Sequence, residues 1–581
     1  MAGLVAAIPL AAMLAAPPAL SLTSATLGSA TPGSAALTSA TLTSATLGSA
    51  TLASADASAH AAQVAERTAG PGAGPIVATE DGKLQGHHAE GIDQFLGVPY
   101  AAPPTGARRW QAPQPVQPWP GVRDATSYGH RCPQLASGNG PREDTEDCLY
   151  LNVFSPAGRP GRAAPHGGHG GGLPVLFMIH GGGLTNGAGD QHDGSLIVNT
   201  DHIIVVSINY RLGVFGFLDV PGLGSTPLTA NGNFGLLDQE AALGWVHRNI
   251  ARFGGNPDQV TIAGESAGGW SVCALMTSPL ARGLFRGAIM ESGSCPSRTP
   301  AQAQSASLAF AAQAGCPDAA TAASCLRNTP ESALLTASAS YSAQFTSGGP
   351  ELPIPPGTAV ADGDYAKVPL LMGTNHDEGR TFTQGFASYT EQQYVQFVDQ
   401  SYGAQAPAVL QHYPWNAYAS PYTASYAIGA IWTDSGFITG IGGCPTQNLA
   451  ARFASRTPTF FYQFDDRHAP ALNQDLPGYQ WGAGHAMELA YLWPSFGNGY
   501  SLYDLLTPPQ LELSHQMVVW WGAFTRLGAP EAPGQPYWPT YTSRQLMSLR
   551  PGGQSRTIPA ATFAAEHQCG FWNAQAAMAS P

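Results

Sequence analysis

The chain has 581 residues, of which 44 % are hydrophobic and only 11 % charged, and 25 Lys+Arg against 38 Asp+Glu leave a formal charge of −13. That apolar share excludes a wholly disordered chain, and an acidic chain without a basic stripe is ill suited to nucleic acid or an anionic membrane surface. Eight cysteines with no CxxC pair exclude zinc ribbons and thioredoxin-type sites, and their even number favours paired bridges in an oxidising compartment.

In chain order, residues 4–16 read as the apolar core of an export signal within 1–22, although no Lys or Arg precedes them and Pro9 interrupts them. The alternative is that Met1 is not the true start. From Ser24 to Ser54 a serine recurs every five residues, a period that matches neither a helix nor a strand. Residues 23–74 are therefore expected as a low-complexity tail or linker, and 75–579 as a single folded domain. A Gly/Pro/His-rich stretch at 158–172 reads as a surface loop insertion, with His166 and His169 reflecting loop composition and not a metal site.

Within the body, apolar runs at 173–179, 203–208, 260–263, 288–290, 368–372 and 459–464 are expected as strands. They alternate with helical patterns, the clearest at 237–253, where Ala242, Trp245, Val246, Asn249 and Ile250 recur at helical spacing before Gly254-Gly255. Such alternation argues an α/β fold with a large, mostly parallel central sheet and helices on both faces. No apolar run of about 18 residues lies beyond the N-terminus, so no internal membrane span and no stable membrane insertion are expected.

The strand at 260–263 runs into Gly264-Glu265-Ser266-Ala267-Gly268 and then into a helical pattern, which is a GxSxG elbow in its strand–turn–helix context. Side chains two residues either side of the serine would collide with the neighbouring strand and helix. Ser266 is thus a candidate nucleophile. His180-Gly181-Gly182-Gly183 directly follows the strand at 173–179, where glycines let backbone N–H groups approach a substrate carbonyl. Gly182, Gly183 and Ala267 are the candidate oxyanion-hole donors.

These motifs stand with Phe95-Leu-Gly-Val-Pro-Tyr-Ala-Ala-Pro-Pro, Glu146-Asp-Cys-Leu-Tyr-Leu-Asn-Val, Asn209-Tyr-Arg-Leu-Gly-Val-Phe-Gly-Phe and Phe253-Gly-Gly-Asn-Pro. In that order they resemble the type-B carboxylesterases, cholinesterase-like members of the α/β-hydrolase fold. The resemblance implies a Ser-Glu-His triad whose partners follow the serine in the chain. Gly373-Thr-Asn-His-Asp-Glu-Gly is similar to the family segment carrying the acid, which would be Glu378, with Asp377 as its rival and His376 a loop bystander. Gly482-Ala-Gly-His-Ala-Met-Glu-Leu is similar to the segment carrying the base, which would be His485. Glu265, Ser292 and Glu488 are implied as supports around the triad. The resemblance also implies disulfides Cys132–Cys148, Cys316–Cys325 and Cys444–Cys569, and buried ion pairs Arg109–Glu146 and Arg211–Asp238. Cys273 and Cys295 are left as either a fourth bridge or buried thiols.

Choline-specific relatives carry a tryptophan shortly before the Glu-Asp-Cys motif, whereas residues 135–145 have none, so choline esters are not the expected substrate. Residues 382–437 are dense in aromatics, including Tyr389, Tyr394, Tyr413, Trp415, Tyr418, Tyr422 and Trp432, and are expected to cover the active site while packing mostly on one another. The expectation is a secreted serine hydrolase of small carboxylic esters that works through an acyl-enzyme, with no cofactor and no metal, since HExxH and Walker A patterns are absent. A long-chain lipase or sterol-ester hydrolase would use the same triad. A non-catalytic adhesion homologue would be expected to lack a triad member.

Overall fold

Apolar and β-branched runs too short to cover themselves pair into sheets, and those in the middle of a sheet are buried on both faces. The computed structural model describes residues 74–579 except 159–170, 225, 227, 229–231, 437–438, 473–475 and 498–499. The expected signal segment, nearly all of the serine-repeat tail, and His166 and His169 lie outside the described residues.

The strands are β1 (Ile76–Ala78), β2 (Lys83–Gln85), β3 (His87–Ala89), β4 (Ile92–Pro99), β5 (Val122–Asp124), β6 (Tyr150–Pro156) and β7 (Leu173–Ile179). They continue as β8 (Ile204–Ile208), β9 (Gly255–Glu265), β10 (Gly287–Glu291), β11 (Leu370–Asn375), β12 (Thr459–Phe464), β13 (Gln545–Leu549) and β14 (Arg556–Pro559). Among the described residues β1, β2 and β5 form a three-stranded sheet, and the others an eleven-stranded sheet in the order β14-β13-β12-β11-β10-β9-β7-β8-β6-β4-β3. From β8 to β13 the neighbours run parallel. Both flanks are antiparallel. Every residue of β8, β10, β11 and β12 is buried, which is why these strands read as mostly apolar runs without alternation. Alternate side chains of β7 enter two cores: Val175, Phe177 and Ile179 one, Leu176 and Met178 the other.

The strands at 173–179 and 459–464 have the expected bounds. The one expected at 368–372 instead spans Leu370–Asn375. Pro369 has no N–H to give a ladder, while Thr374 and Asn375 continue pairing with Gln463 and Phe464 of β12. The helix expected at 237–253 is α1 (Phe234–Asn249), followed by a tighter turn at Ile250–Phe253 that stops at Gly254 with φ 89°. Three further helices matter to the site: α2 (Ala267–Thr277), α3 (Thr423–Ser435) and α4 (Pro508–Leu527). Among the described residues no helix is long and apolar enough to cross a membrane.

The three implied disulfides are present, with Cα–Cα distances of 4.9, 5.8 and 5.2 Å for Cys132–Cys148, Cys316–Cys325 and Cys444–Cys569. Cys273 and Cys295 form a fourth bridge, joining α2 to the loop after β10. Of the aromatics between 382 and 437, Tyr394, Tyr413 and Trp432 form a core of their own, with Tyr389, Trp415 and Tyr418 packed against it. Arg109 reaches Glu146 through Nε at 2.8 Å. Arg211 meets Asp238 in a two-pronged pair of 2.7 and 2.8 Å. Asp238 is fully buried and Arg211 nearly so. Asp238→Asn would strand a buried cation, so a loss of about 3 kcal/mol is expected. A lower urea midpoint at unchanged slope would report it, and an unmoved midpoint would show that Arg211 finds another counter-charge.

Candidate active site

β9 ends at Glu265 and α2 begins at Ala267, which leaves Ser266 in the turn at φ 55° and ψ −120°. A non-glycine residue with positive φ is strained and persists only when its surroundings hold it. Here the Ser266 N–H donates to the Glu291 carbonyl at the end of β10 (3.0 Å), and the Ser266 carbonyl accepts from Trp270 N–H (2.9 Å). The flanking glycines are needed for close approach. A Cβ on Gly264 would stand 2.4 Å from the Gly268 backbone, and one on Gly268 would stand 2.1 Å from the Ile179 carbonyl oxygen.

His180 to Gly183 leave the end of β7 beside this turn; a Cβ on Gly181 would lie 3.2 Å from the Ser266 Cβ. The His180 ring stacks on Tyr210 at 4.4 Å between centroids, and the Tyr210 hydroxyl donates to the His180 carbonyl at 2.9 Å. Burial pushes His180 down to about 4, so the ring is neutral at physiological pH. Gly182 and Gly183 adopt φ of 96° and 63°, and the Gly182 carbonyl accepts from the N–H groups of Thr185 and Asn186. Among the described residues neither the Gly182 nor the Gly183 N–H donates to a backbone carbonyl. Ala267 contributes the first amide of α2, one of the four that a helix leaves without an internal partner.

Glu378 follows the end of β11 and places Oε2 2.5 Å from His485 Nδ1. Its Oε1 accepts from Ser292 Oγ (2.6 Å), Thr374 Oγ1 (2.9 Å) and Asn375 N–H (2.7 Å). Burial opposes the charge on Glu378, but His485 and these donors outweigh it and hold the carboxyl below its ordinary value. The neighbouring carboxylate of Asp377 turns to other partners: Arg380, Arg467 and His376. His376 lies 3.7 Å from Asp377 and against Arg467, with no contact to His485. Phe382 sets its ring 5.0 Å from that of His485.

Glu265 brings Oε1 within 3.2 Å of His485 Nε2, so the residue before the serine touches the histidine. Burial, with Glu378 and Glu291 nearby, drives the Glu265 pKa far up and favours its neutral acid. Glu488 meets the Asn375 side chain, which also donates to the Gly484 carbonyl at 2.7 Å. Tyr210, Thr374, Asn375 and Glu291 were not singled out from sequence. Thr374 and Asn375 lie inside the acid motif, whereas Glu291 could have been suspected as an acid closing an otherwise apolar strand.

Glu291 is fully buried, accepts from Trp521 Nε1 at 3.1 Å, and is pushed by burial up to about 8. An unfolded glutamate ionises near its ordinary 4.5. Between these values the unfolded chain has lost a proton that the folded chain keeps, so this group's contribution to stability falls as pH rises from about 4.5 to 8. Glu291→Gln is expected to flatten that decline in denaturant titrations across the window. Parallel curves for variant and parent would mean that Glu291 is ionised in the folded protein.

The model of the carboxylesterase family matches residues 73–572. The chain belongs to the carboxylesterase family. It is 33 % identical to cocaine esterase from Homo sapiens over 540 residues, covering 86 % of this chain and 91 % of that protein. With para-nitrobenzyl esterase from Bacillus subtilis (strain 168) it shares 35 % identity over 489 residues, or 80 % and 92 % of the two chains. A solved structure of PNB esterase superposes with a TM-score of 0.69 at 33 % identity, covering 85 % of this chain and 99 % of that one. The architecture is therefore the α/β-hydrolase fold, and the carboxylesterase is an enzyme of carboxylic ester hydrolysis.

Proposed function

We propose that this carboxylesterase is a secreted serine hydrolase that cleaves small-molecule carboxylic esters through an acyl-enzyme on Ser266. The observation that carries the reading is the 2.5 Å contact of Glu378 with His485 Nδ1, beside an elbow that presents Ser266. Glu378 fixes the tautomer of His485 and stabilises its cation, which leaves Nε2 to take the Ser266 Oγ proton as Oγ attacks the ester carbonyl. The N–H groups of Gly182, Gly183 and Ala267 receive the negative charge that develops on the carbonyl oxygen. Collapse expels the alcohol, protonated by His485; water, deprotonated by His485, then releases the acid and frees Ser266. A neutral Glu265 near Nε2 leaves His485 free to change charge without a second fixed anion against it.

Residues 75–579 form the catalytic domain in this reading, and the four disulfides support an oxidising, extracellular setting. The test is treatment with a fluorophosphonate, digestion and mass spectrometry, alongside a panel of p-nitrophenyl esters of increasing acyl length. A single adduct on Ser266 with fast short-chain turnover is the expected result. An adduct elsewhere would overturn the nucleophile, and turnover confined to long chains above their micellar threshold would make the protein a lipase.

A further inference from the structure

We propose that Asp377 is a positioning residue for His485, clamping the loop that carries the histidine onto the segment that carries Glu378; the inference rests on the triad reading above. Two reciprocal bonds make the clamp: the Asp377 N–H donates to the Ala483 carbonyl at 2.8 Å, and the Ala483 N–H donates to Asp377 Oδ2 at 3.1 Å. The approach is close enough to require glycine next door. Gly482 has φ 65°, and a Cβ there would stand 2.5 Å from Asp377 Oδ2.

The carboxylate is held from its other side by three basic groups. Arg380 Nη2 lies 3.3 Å and His376 Nδ1 3.7 Å from Oδ1, and Arg467 Nε lies 3.4 Å from Oδ2. Arg380 extends the grip, since its Nη1 donates to the Gln480 carbonyl at 3.0 Å, its guanidinium lies 5.0 Å from the Tyr426 ring centroid on α3, and its carbonyl accepts from Tyr479 Oη. Asn375 Nδ2 ties Gly484, and Thr381 Oγ1 donates to the His485 carbonyl at 3.3 Å. The histidine loop is thus tied to the acid segment at positions 479, 480, 483, 484 and 485, and Asp377 joins the basic groups to the loop's main chain at Ala483. Although burial opposes its charge, these basic groups hold the Asp377 carboxyl well below the usual range, so the clamp stays ionised wherever the enzyme works.

Asp377 does not touch the imidazole; it sets where the imidazole stands. A displacement of about 1 Å in a catalytic group costs on the order of 100-fold in rate. Asp377→Asn removes the charge that organises Arg380 and Arg467 and presents an amide where an acceptor is needed. The expected result on the full chain is a fall in kcat and in the rate of fluorophosphonate labelling by the same factor, about 10–100-fold, with KM and far-UV circular dichroism unchanged. Gly482→Ala attacks the clamp from the loop side and keeps the proposal testable if Asp377→Asn does not fold. Its labelling rate should fall in the same range, and the double variant should lose less than the product of the two single losses. Unchanged kcat in folded Asp377→Asn or Gly482→Ala, with Ser266→Ala inactive, would overturn the clamp alone. Residual turnover in Ser266→Ala would instead overturn the triad reading beneath it. If Asp377→Asn were as inactive as Ser266→Ala while Glu378→Gln kept its rate, Asp377 would be the acid and the clamp would fall.

Discussion

Ser266→Ala and His485→Ala are each expected to lower ester turnover by about 10⁴–10⁶-fold without unfolding the protein, and combining them should cost little more than either alone. The reason is that the two side chains act as one unit: without the imidazole the hydroxyl keeps its proton, and without the hydroxyl the imidazole has nothing to deprotonate. Glu378→Gln is expected to be severe and less complete, since an amide oxygen can still face His485 Nδ1 but carries no charge to stabilise the imidazolium. Its effect should be deepened by the site's own donors, because Ser292, Thr374 and the Asn375 amide all point at Oε1 and were arranged for an anion. Steady-state kinetics on one short-chain p-nitrophenyl ester, with circular dichroism on each variant, read all three. Multiplying losses in the double variant would show that Ser266 and His485 serve separate steps.

Replacing Cys444 and Cys569 together by alanine is expected to remove about 4–5 kcal/mol of stability on the chain-entropy account, the largest loss for any of the four bridges. The bridge joins residues 125 positions apart, whereas Cys316–Cys325 spans 9. It fastens the helix Cys569–Ala579 to the aromatic core built by Tyr394, Tyr413 and Trp432. Other ties remain without it: Trp572 Nε1 donates to Tyr413 Oη at 2.7 Å, and His567 bridges Asp434 and Gln463 at 2.8 and 2.9 Å. The folded variant should therefore keep its activity at room temperature while its denaturant midpoint falls. A midpoint no lower than that of the Cys316→Ala/Cys325→Ala variant would show that the constraint on the unfolded chain is not what this bridge contributes.

The parallel centre of the sheet was legible because its strands are buried on both faces and so spell mostly apolar runs. The antiparallel flank was not: β4 carries Asp93, Gln94, Gly97 and Pro99, and β6 carries Asn152 and Ser155, so neither reads as an apolar run from composition alone. α4 was not singled out either, although Thr507 and Gln510 form a capping box at its start and Pro508-Pro509 occupy its first turn. At the site, local motifs carried the elbow and the glycine loop, while Glu378 and His485 came only from the resemblance to the family. Tyr210, Glu291 and the Asp377–Ala483 contact escaped because they exist only once β8, β10 and β11 have taken their places in the sheet. Asp377 shows the difference: it stood as the rival of Glu378 in the sequence, and in the fold Glu378 meets His485 Nδ1 whereas Asp377 meets Arg380, Arg467 and the Ala483 amide.

The order of the strands has a further meaning for the nascent chain. The glycine loop leaves β7, Ser266 leaves β9, Glu378 follows β11, and His485 comes after β12, strands gathered within five successive places in the sheet but spread in sequence from His180 to His485. Under the proposed triad, a ribosome that has passed Ser266 has made the serine before its acid and its base. On that reading hydrolysis begins only when the chain has passed His485 and its loop has reached the sheet, so a half-translated chain would carry an inert serine.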